Sequence, residues 1–283
     1  MPNTNSQTDN FEKIGNSLAY HGKKNDRIYL MKIDVNDCAN LIPKIEILTK
    51  KNNYSKIFAK VPESVDGFFR NEAYVQEAYV PNFYKGTEAA CFFSKFFSEE
   101  RSKSEHSKLI FDVIKVSQTK ANEQIPAYLT VGLCIKQMKK EDAPQMARLY
   151  KEVFKSYPFP IFDENYIIQT MSEHVDYFGI YIGRKLIALS SSEMDIENQN
   201  TEMTDFATLP EFRGSNLSLH LLATMEPIAK SKGIKTAYTI ARSVSYGMNI
   251  TFARMGYEFA GTLINNTFIS SSIESMNVWY KPL

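Results

Sequence analysis

From residue 26 onward, short runs rich in β-branched and aromatic residues alternate with segments whose apolar positions recur every three or four residues. The first pattern predicts strands and the second amphipathic helices. Residues 26–33 (DRIYLMKI), 54–61 and 74–80 read as strands, the last ended by Pro81. Between the first two, Leu41, Ile45 and Leu48 share a helical face. Asn36 or Asp37 caps it, and Pro43 falls early enough to be tolerated. Residues 64–72 read as a short helix. Residues 87–101 read as a longer helix with Phe92, Phe93, Phe96 and Phe97 on one side, a stripe that belongs to a core. Polar runs at 99–108 and 118–126 follow, and the second marks a domain boundary. The chain divides into a flexible polar tail (1–24), an N-terminal α/β domain (25–127) and a C-terminal domain (128–283).

The C-terminal part reads as strand 129–138, a helix with Met146, Leu149, Tyr150 and Val153 on one face, a stiff Tyr157-Pro158-Phe159-Pro160 loop, and a short helix. Strands 175–182 and 185–194 follow, joined by Gly183-Arg184 as a hairpin turn. Strand 201–209 leads into a helix from about 215 to 230, with Pro227 a candidate kink. Strand 234–241, helix 246–254 and two closing strands end the chain. The order is β-α-α-β-β-β-α-β-α-β-β, a mixed sheet with a cleft where parallel neighbours part. Strand, helix, strand, short helix, strand occurs at 26–80 and again at 201–264. The first domain is then a degenerate copy of the second, or βαβ units recur by chance; mismatched strand order would exclude a copy.

Composition narrows the class. The hydrophobic fraction is 43% and the charged fraction 23%, as in globular proteins. A net charge of +1 gives no reason to expect nucleic acid or a membrane surface as partner. No apolar run is long enough to span a bilayer, and the N-terminus lacks a signal-peptide core, so a cytoplasmic protein is expected. Cys38, Cys91 and Cys134 sit beside apolar residues and read as buried free thiols. No metal is expected.

The chemistry concentrates at 204–222 (TDFATLPEFRGSNLSLHLL). An apolar strand ends, a turn containing Gly214 and Asn216 follows, and an amphipathic helix begins. The first N–H groups of a helix lack internal partners, so this turn suits a phosphate or pyrophosphate. Gly214 and Asn216 are residue types that accept a left-handed backbone.

With its flanking elements, the turn resembles the Arg/Gln-x-x-Gly-x-Gly/Ala motif of the GNAT superfamily of acetyl-CoA-dependent N-acetyltransferases. Arg213 matches, while Asn216 and Ser218 replace the small motif residues. DRIYLMKID, YVQEAYVPNFYKG, EMTDFATLP, TAYTIAR, GMNITFARMGY and ESMNVWYK extend the resemblance to the β-lysine N-epsilon-acetyltransferases, from about Asn25 to the C-terminus. The fold so implied is α/β with a mixed sheet: a GNAT domain preceded by a smaller α/β domain, expected as a degenerate half-GNAT copy.

That resemblance implies acetyl-CoA as co-substrate, the terminal amine of β-lysine as acceptor, an acetylated osmolyte as product, and lysine 2,3-aminomutase as pathway partner. Another small-molecule amine acetyltransferase and a non-catalytic acyl-CoA-binding protein are the alternatives. Glu202, eleven residues before Arg213, is the first choice for general base, and Asp205 the second. Strand alternation puts these two acids on opposite faces, so both reach one cleft only if a bulge intervenes. The backbone of Phe206, Ala207 and Thr208 would pair with pantetheine. Arg213, Gly214, Ser215, Asn216, Leu217 and Ser218 would hold the pyrophosphate, and Ser245 stands where the family commonly has asparagine. Phe252 replaces the family's tyrosine acid. Tyr157, Glu193, Arg242 and Asn249 are candidates for substrate contact, with Asp195 and Glu274 as further acids. The N-terminal domain either covers the cleft or stands in for the second subunit of a homodimer.

Overall fold

The polar segment expected as a tail begins with a hairpin. β1 (Asn10–Ile14) and β2 (Ser17–Gly22) pair across a turn in which Gly15 has φ +68°. Four of the five β1 residues are exposed, so this strand carries almost no apolar signal. The computed structural model describes residues 9–121, 123 and 129–283. The expected boundary between 127 and 128 lies outside the described residues.

β3 (Arg27–Lys32), α1 (Cys38–Asn52), β4 (Lys56–Pro62), α2 (Asp66–Asn71) and β5 (Val75–Tyr84) follow as the periodicity predicts. β5 runs through Pro81, because its register with the next strand shifts between Val80 and Tyr84. That next strand, β6 (Glu88–Phe96), replaces the helix expected at 87–101. It is a central strand buried on both faces, and such a strand reads as a continuous apolar run without a period of two. Phe93 stacks on Phe69 below the sheet, while Phe92 packs with Phe58 and Phe83 above it. Lys85 and Gly86, both at positive φ, form the β5–β6 turn. α3 (Glu99–Ser102) begins where the expected helix would have ended, and α4 (Ser107–Thr119), which had no helical expectation, lies largely between the two polar runs and packs on a helix of the C-terminal half.

The C-terminal half has the expected order: β7 (Leu133–Gln137), α5 (Ala143–Val153), α6 (Glu164–Ser172), β8 (Val175–Ile182), β9 (Lys185–Asp195), β10 (Asn200–Thr208), α7 (Leu217–Ser231), β11 (Thr236–Arg242), α8 (Tyr246–Arg254), β12 (Glu258–Ile269) and β13 (Ser272–Pro282). Pro227 is accommodated within α7. Cys38 and Cys91 are buried, but Cys134 is exposed on edge strand β7, contrary to expectation. Among the described residues, no helix is long and apolar enough to cross a membrane.

All these strands form one sheet, ordered β1-β2-β3-β4-β6-β5-β12-β13-β11-β10-β9-β8-β7. The paths β1-β2-β3-β4-β6-β5 and β8-β9-β10-β11-β13-β12 are the same. In each, the third and fourth strands to appear in sequence are parallel and the other neighbours antiparallel. The strand order that would have excluded a copy therefore matches. The N-terminal repeat has lost the anion turn. Asp34 accepts the Asn36 N–H where α1 approaches, and Asp37 accepts the N–H groups of Asn16 and Ser17. Carboxylates at that end leave it unsuited to phosphate.

The two half-sheets meet edge to edge through β5 and β12, with Gly261 opposite Ala78. At Gly261 (φ +149°) a Cβ would lie 2.1 Å from the Glu77 carbonyl oxygen, so only glycine permits the approach. Just beyond, β12 bulges between Leu263 and Thr267. Three successive carbonyls freed by the bulge accept from buried cations of the N-terminal half: Ile264 from Lys56 (2.6 Å), Asn265 from Arg101 (2.6 Å) and Asn266 from Arg27. Glu77 accepts the Ile264 N–H at 2.8 Å and pairs with Lys56 at 3.0 Å. Above this joint the inner faces pack on each other, Tyr29, Phe58, Phe83 and Phe92 against Tyr238, Leu263, Met276 and Val278.

Removing one partner of a buried ion pair typically costs about 3–5 kcal/mol. Lys56→Met is therefore expected to lower unfolding free energy by about that amount in a denaturant titration. A loss below about 1 kcal/mol, the range of exposed pairs, would mean the joint is held elsewhere.

Candidate active site

β10 and β11 pair only from Asn200 to Glu202 against Thr236 to Tyr238, and then part. On its other side, β10 shifts register with β9 between Thr204 and Ala207, and Asp205 adopts φ +54°. This is the bulge that alternation alone could not supply. Glu202, Thr204 and Phe206 face a cavity, and the bulge brings Asp205 to its wall as well. The cavity holds about 1040 Å³ and lies between the two halves. Tyr29, Phe58, Lys60 and Phe83 line it from the N-terminal half, and Glu193, Glu202, Asp205 and Tyr238 from the C-terminal half.

Three carboxyl groups converge there. Glu193 and Glu202 are direct cross-strand partners on β9 and β10, so their side chains rise side by side. Tyr238 and the Ile240 N–H lie close enough to Glu202 to favour its ionised form. Lys60 Nζ donates to the Tyr238 oxygen at 2.8 Å. Asp205 accepts from the hydroxyls of Tyr157 (2.5 Å) and Ser191 (2.8 Å). Glu193 has no side-chain hydrogen bond among the described residues. Burial, more than any other cause, raises the pKa of all three acids. Lys60 and Tyr238 work against this at Glu202, whereas Asp205 and Glu202 push Glu193 still further up. Like charges this close resist simultaneous ionisation, so the cavity favours a ligand that brings positive charge.

The wall next to the acids belongs to the Tyr157–Phe159 loop, and the N-terminal half holds that loop in place. Lys24 donates to the Tyr157 carbonyl at 2.6 Å, Tyr20 donates to the Pro158 carbonyl at 3.1 Å, and the Tyr20 ring stacks on Phe159. The N-terminal half thus covers the cleft, one of the two arrangements left open by the sequence.

Downstream of Phe206 the strand leads to the turn. Gly214 (φ +81°) and Asn216 (φ +58°) take the left-handed conformations expected of them. Arg213 to Asn216 are exposed, and no side chain caps α7 at Asn216. The first-turn N–H groups from Leu217 and Ser218 therefore remain available, as an anion cradle needs. Arg213 folds back onto the Thr208 carbonyl at 3.3 Å. Arg254 of α8 reaches Asn216 Oδ1 at 3.2 Å and brings a guanidinium beside the turn, a residue the sequence did not single out. Phe206 meets Phe252 edge-on, and Phe252 is fully buried with no hydroxyl to offer. Ser245 lies at the start of α8 on the cavity wall.

Two expected substrate contacts are occupied otherwise. Asn249 is buried, donating to the carbonyls of Arg242 and Ser245 and accepting from Asn277 and Trp279. Its amide pins α8 to the sheet and has nothing left for a ligand. Arg242 grips Glu274 in a bidentate pair (2.7 and 2.6 Å), so the two consume each other. Asp195 accepts from the backbone and side chain of Asn198 and closes the β9–β10 turn. Lys60 and Tyr238 escaped notice in the sequence. A lysine and a tyrosine alternating with buried residues in a strand are the same letters whether they meet solvent or a cavity.

The acetyltransferase (GNAT) family model matches residues 144–257, which include the splayed strand, the bulge and the turn. The chain is 42% identical to the β-lysine N(6)-acetyltransferase of Methanococcus maripaludis, over 95% of this chain and 97% of that protein. It is 36% identical to the enzyme of the same name from Methanosarcina mazei, over 60% and 64%. It is 30% identical to the N-acetyltransferase YodP of Bacillus subtilis, over 93% and 94%. The fold and the site are those of a GNAT N-acetyltransferase. Within that class, the chain belongs to the β-lysine N-acetyltransferase family.

Each buried polar group left without a partner costs about 1–3 kcal/mol. Asn249→Ala strands the donors of Asn277 and Trp279, so a stability loss above about 2 kcal/mol is expected in thermal or denaturant unfolding. Unchanged stability with a raised KM for the amine would return Asn249 to the substrate site.

Proposed function

We propose that this N-acetyltransferase transfers an acetyl group from acetyl-CoA to the terminal amine of β-lysine, yielding N-epsilon-acetyl-β-lysine. The observation that carries the reading is the convergence of Glu193, Glu202 and Asp205 on one cavity beside the splayed strand. A diammonium substrate relieves the mutual repulsion of these acids. The names of the two archaeal relatives support the same substrate. Lysine 2,3-aminomutase would supply the β-lysine, in the cytoplasm.

Acetyl-CoA supplies the activated thioester. The open turn from Arg213 to Ser218 would hold its pyrophosphate, and the backbone of Phe206, Ala207 and Thr208 its pantetheine arm. Glu202, as carboxylate, accepts a proton from the substrate ammonium. The neutral nitrogen then attacks the thioester carbon, the C–S bond breaks, and the nitrogen's second proton passes to the departing thiolate. Burial keeps the Glu202 pKa above its ordinary value, which strengthens it as a base, while Lys60 and Tyr238 keep the rise moderate. Asp205, tied to two hydroxyls, orients the amine. Phe252 provides no proton, so the thiolate leaves on its own modest basicity, about pKa 8.5 for a cysteine-like thiol.

Three outcomes are expected. Thiol release from acetyl-CoA should be faster with β-lysine than with α-lysine, spermidine or other polyamines. Release with spermidine well above that with β-lysine would point to a different amine. Glu202→Gln should cut turnover at least about tenfold while CoA binding is kept, since general bases typically contribute 10²–10⁴-fold. Only ionised Glu202 accepts a proton, so wild-type kcat/KM should fall as pH drops through its raised pKa. Near wild-type turnover of the Gln variant would move the role of base to Asp205.

A further inference from the structure

Among the described residues, Lys60 is a half-buried cation in no direct ion pair, although the carboxylates of Glu202, Asp195 and Glu193 lie near enough to favour its charged form. It projects from β4 of the N-terminal half into the cavity, with its ammonium 5.3 Å from the Phe83 ring and 4.9 Å from that of Tyr238. One of its three N–H groups goes to the Tyr238 oxygen. Among the described residues, no carboxylate lies within the 4.0 Å of an ion pair. Its neighbours differ. Lys56, four residues earlier, is paired with Glu77, and Arg242 across the cavity is paired with Glu274. Arg27, the fully buried cation in the wall, donates through Nη1 to the Asn266 carbonyl and the Thr267 hydroxyl and keeps a buried Nε without a partner, which makes it the rival that the test must separate from Lys60. An ammonium taken from water with donors to spare is costly unless an anion meets it.

We propose that Lys60 binds the carboxylate of the amino-acid substrate, so that the N-terminal half selects an amino acid over a polyamine. The inference rests on the acceptor being β-lysine. The order of groups along the wall fits that molecule. Asp205 lies at the cofactor end of β10 with the base Glu202 near it for the reacting amine, Glu193 pairs across from Glu202 where the 3-ammonium would follow, and Lys60 reaches the wall at the Tyr238 hydroxyl. The substrate carries its reacting amine at one end, its 3-ammonium next and its carboxylate last. Both sequences run in the same sense. The catalytic half supplies the acids and the cofactor turn. The cation comes from the half whose own anion turn is closed by Asp34 and Asp37.

The test compares two acceptors with the purified full-length enzyme: β-lysine, and 1,4-diaminopentane, the same diamine without the carboxylate. For Lys60→Met, kcat/KM with β-lysine should fall about 10–100-fold, mostly in KM, as for loss of a charged hydrogen bond. The change that Lys60→Met makes at Glu202 falls on both acceptors alike, so the loss with the diamine should be smaller than that with β-lysine by about tenfold or more. Lys60→Arg should recover much of the loss with β-lysine. Equal losses with both acceptors would mean that Lys60 acts only through Tyr238 and Glu202, and would overturn the proposal. So would no loss with either, or a selective loss in Arg27→Met in place of Lys60→Met. A wild-type enzyme that ignores β-lysine fails the functional reading itself, an outcome distinct from these.

Discussion

The active cavity depends on a joint only a few residues long. At the β12 bulge, the carbonyls of Ile264, Asn265 and Asn266 turn away from any strand and accept from Lys56, Arg101 and Arg27 of the other half. Unpaired buried carbonyls are costly and so are buried cations, and here each offsets the other. Glu77 adds a carboxylate that binds both Lys56 and the Ile264 N–H. Gly261 lets the strands approach closely enough for this to happen. The result is one sheet whose two inner faces look at each other, with a space between them.

That space acquires its chemistry from two irregularities in β10. The strand leaves β11 after Glu202, which turns the Ile240 N–H toward the Glu202 carboxylate and favours its ionised form. It bulges at Asp205, which brings a residue from the buried face to the cavity wall. Without the first, Glu202 would sit on a closed ladder. Without the second, Asp205 would point into the core beneath the sheet. The covering half then closes over one side of the site, where burial raises the pKa of all three acids, and it places Lys60 beside them.

The C-terminal fold was legible almost element by element, because its helices show one apolar face and its strands alternate. α8 begins at Tyr246 and ends at Arg254, as the spacing predicts. The failures have definite causes. β6 is apolar on both faces, so Phe92 and Phe93 suit a helix as well as a strand. β1 is nearly all exposed, so it resembles a polar tail. Of the candidate site, the left-handed turn and the positions of Glu202 and Asp205 on the strand before it were legible from the strand–turn–helix unit, and their roles belong to the proposal. Asn249 and Arg242 were misjudged because proximity to the cleft in sequence says nothing about which partners already occupy them.

The sequence by itself determined the order of elements, the left-handed turn at Gly214 and Asn216, the repeat of strand and helix in the two halves, and the family. These follow from local periodicity, backbone preference and residue-by-residue likeness. Only the tertiary structure decided that the halves share one sheet, that Asp205 turns into the cleft, and that Lys60 from one half faces Glu202 from the other. Those outcomes depend on pairings between residues some 140 to 210 positions apart, Lys60 with Tyr238 and Lys56 with Ile264 among them. A lysine's letter does not say whether water, a carbonyl or a substrate will meet its charge. The fold around it does.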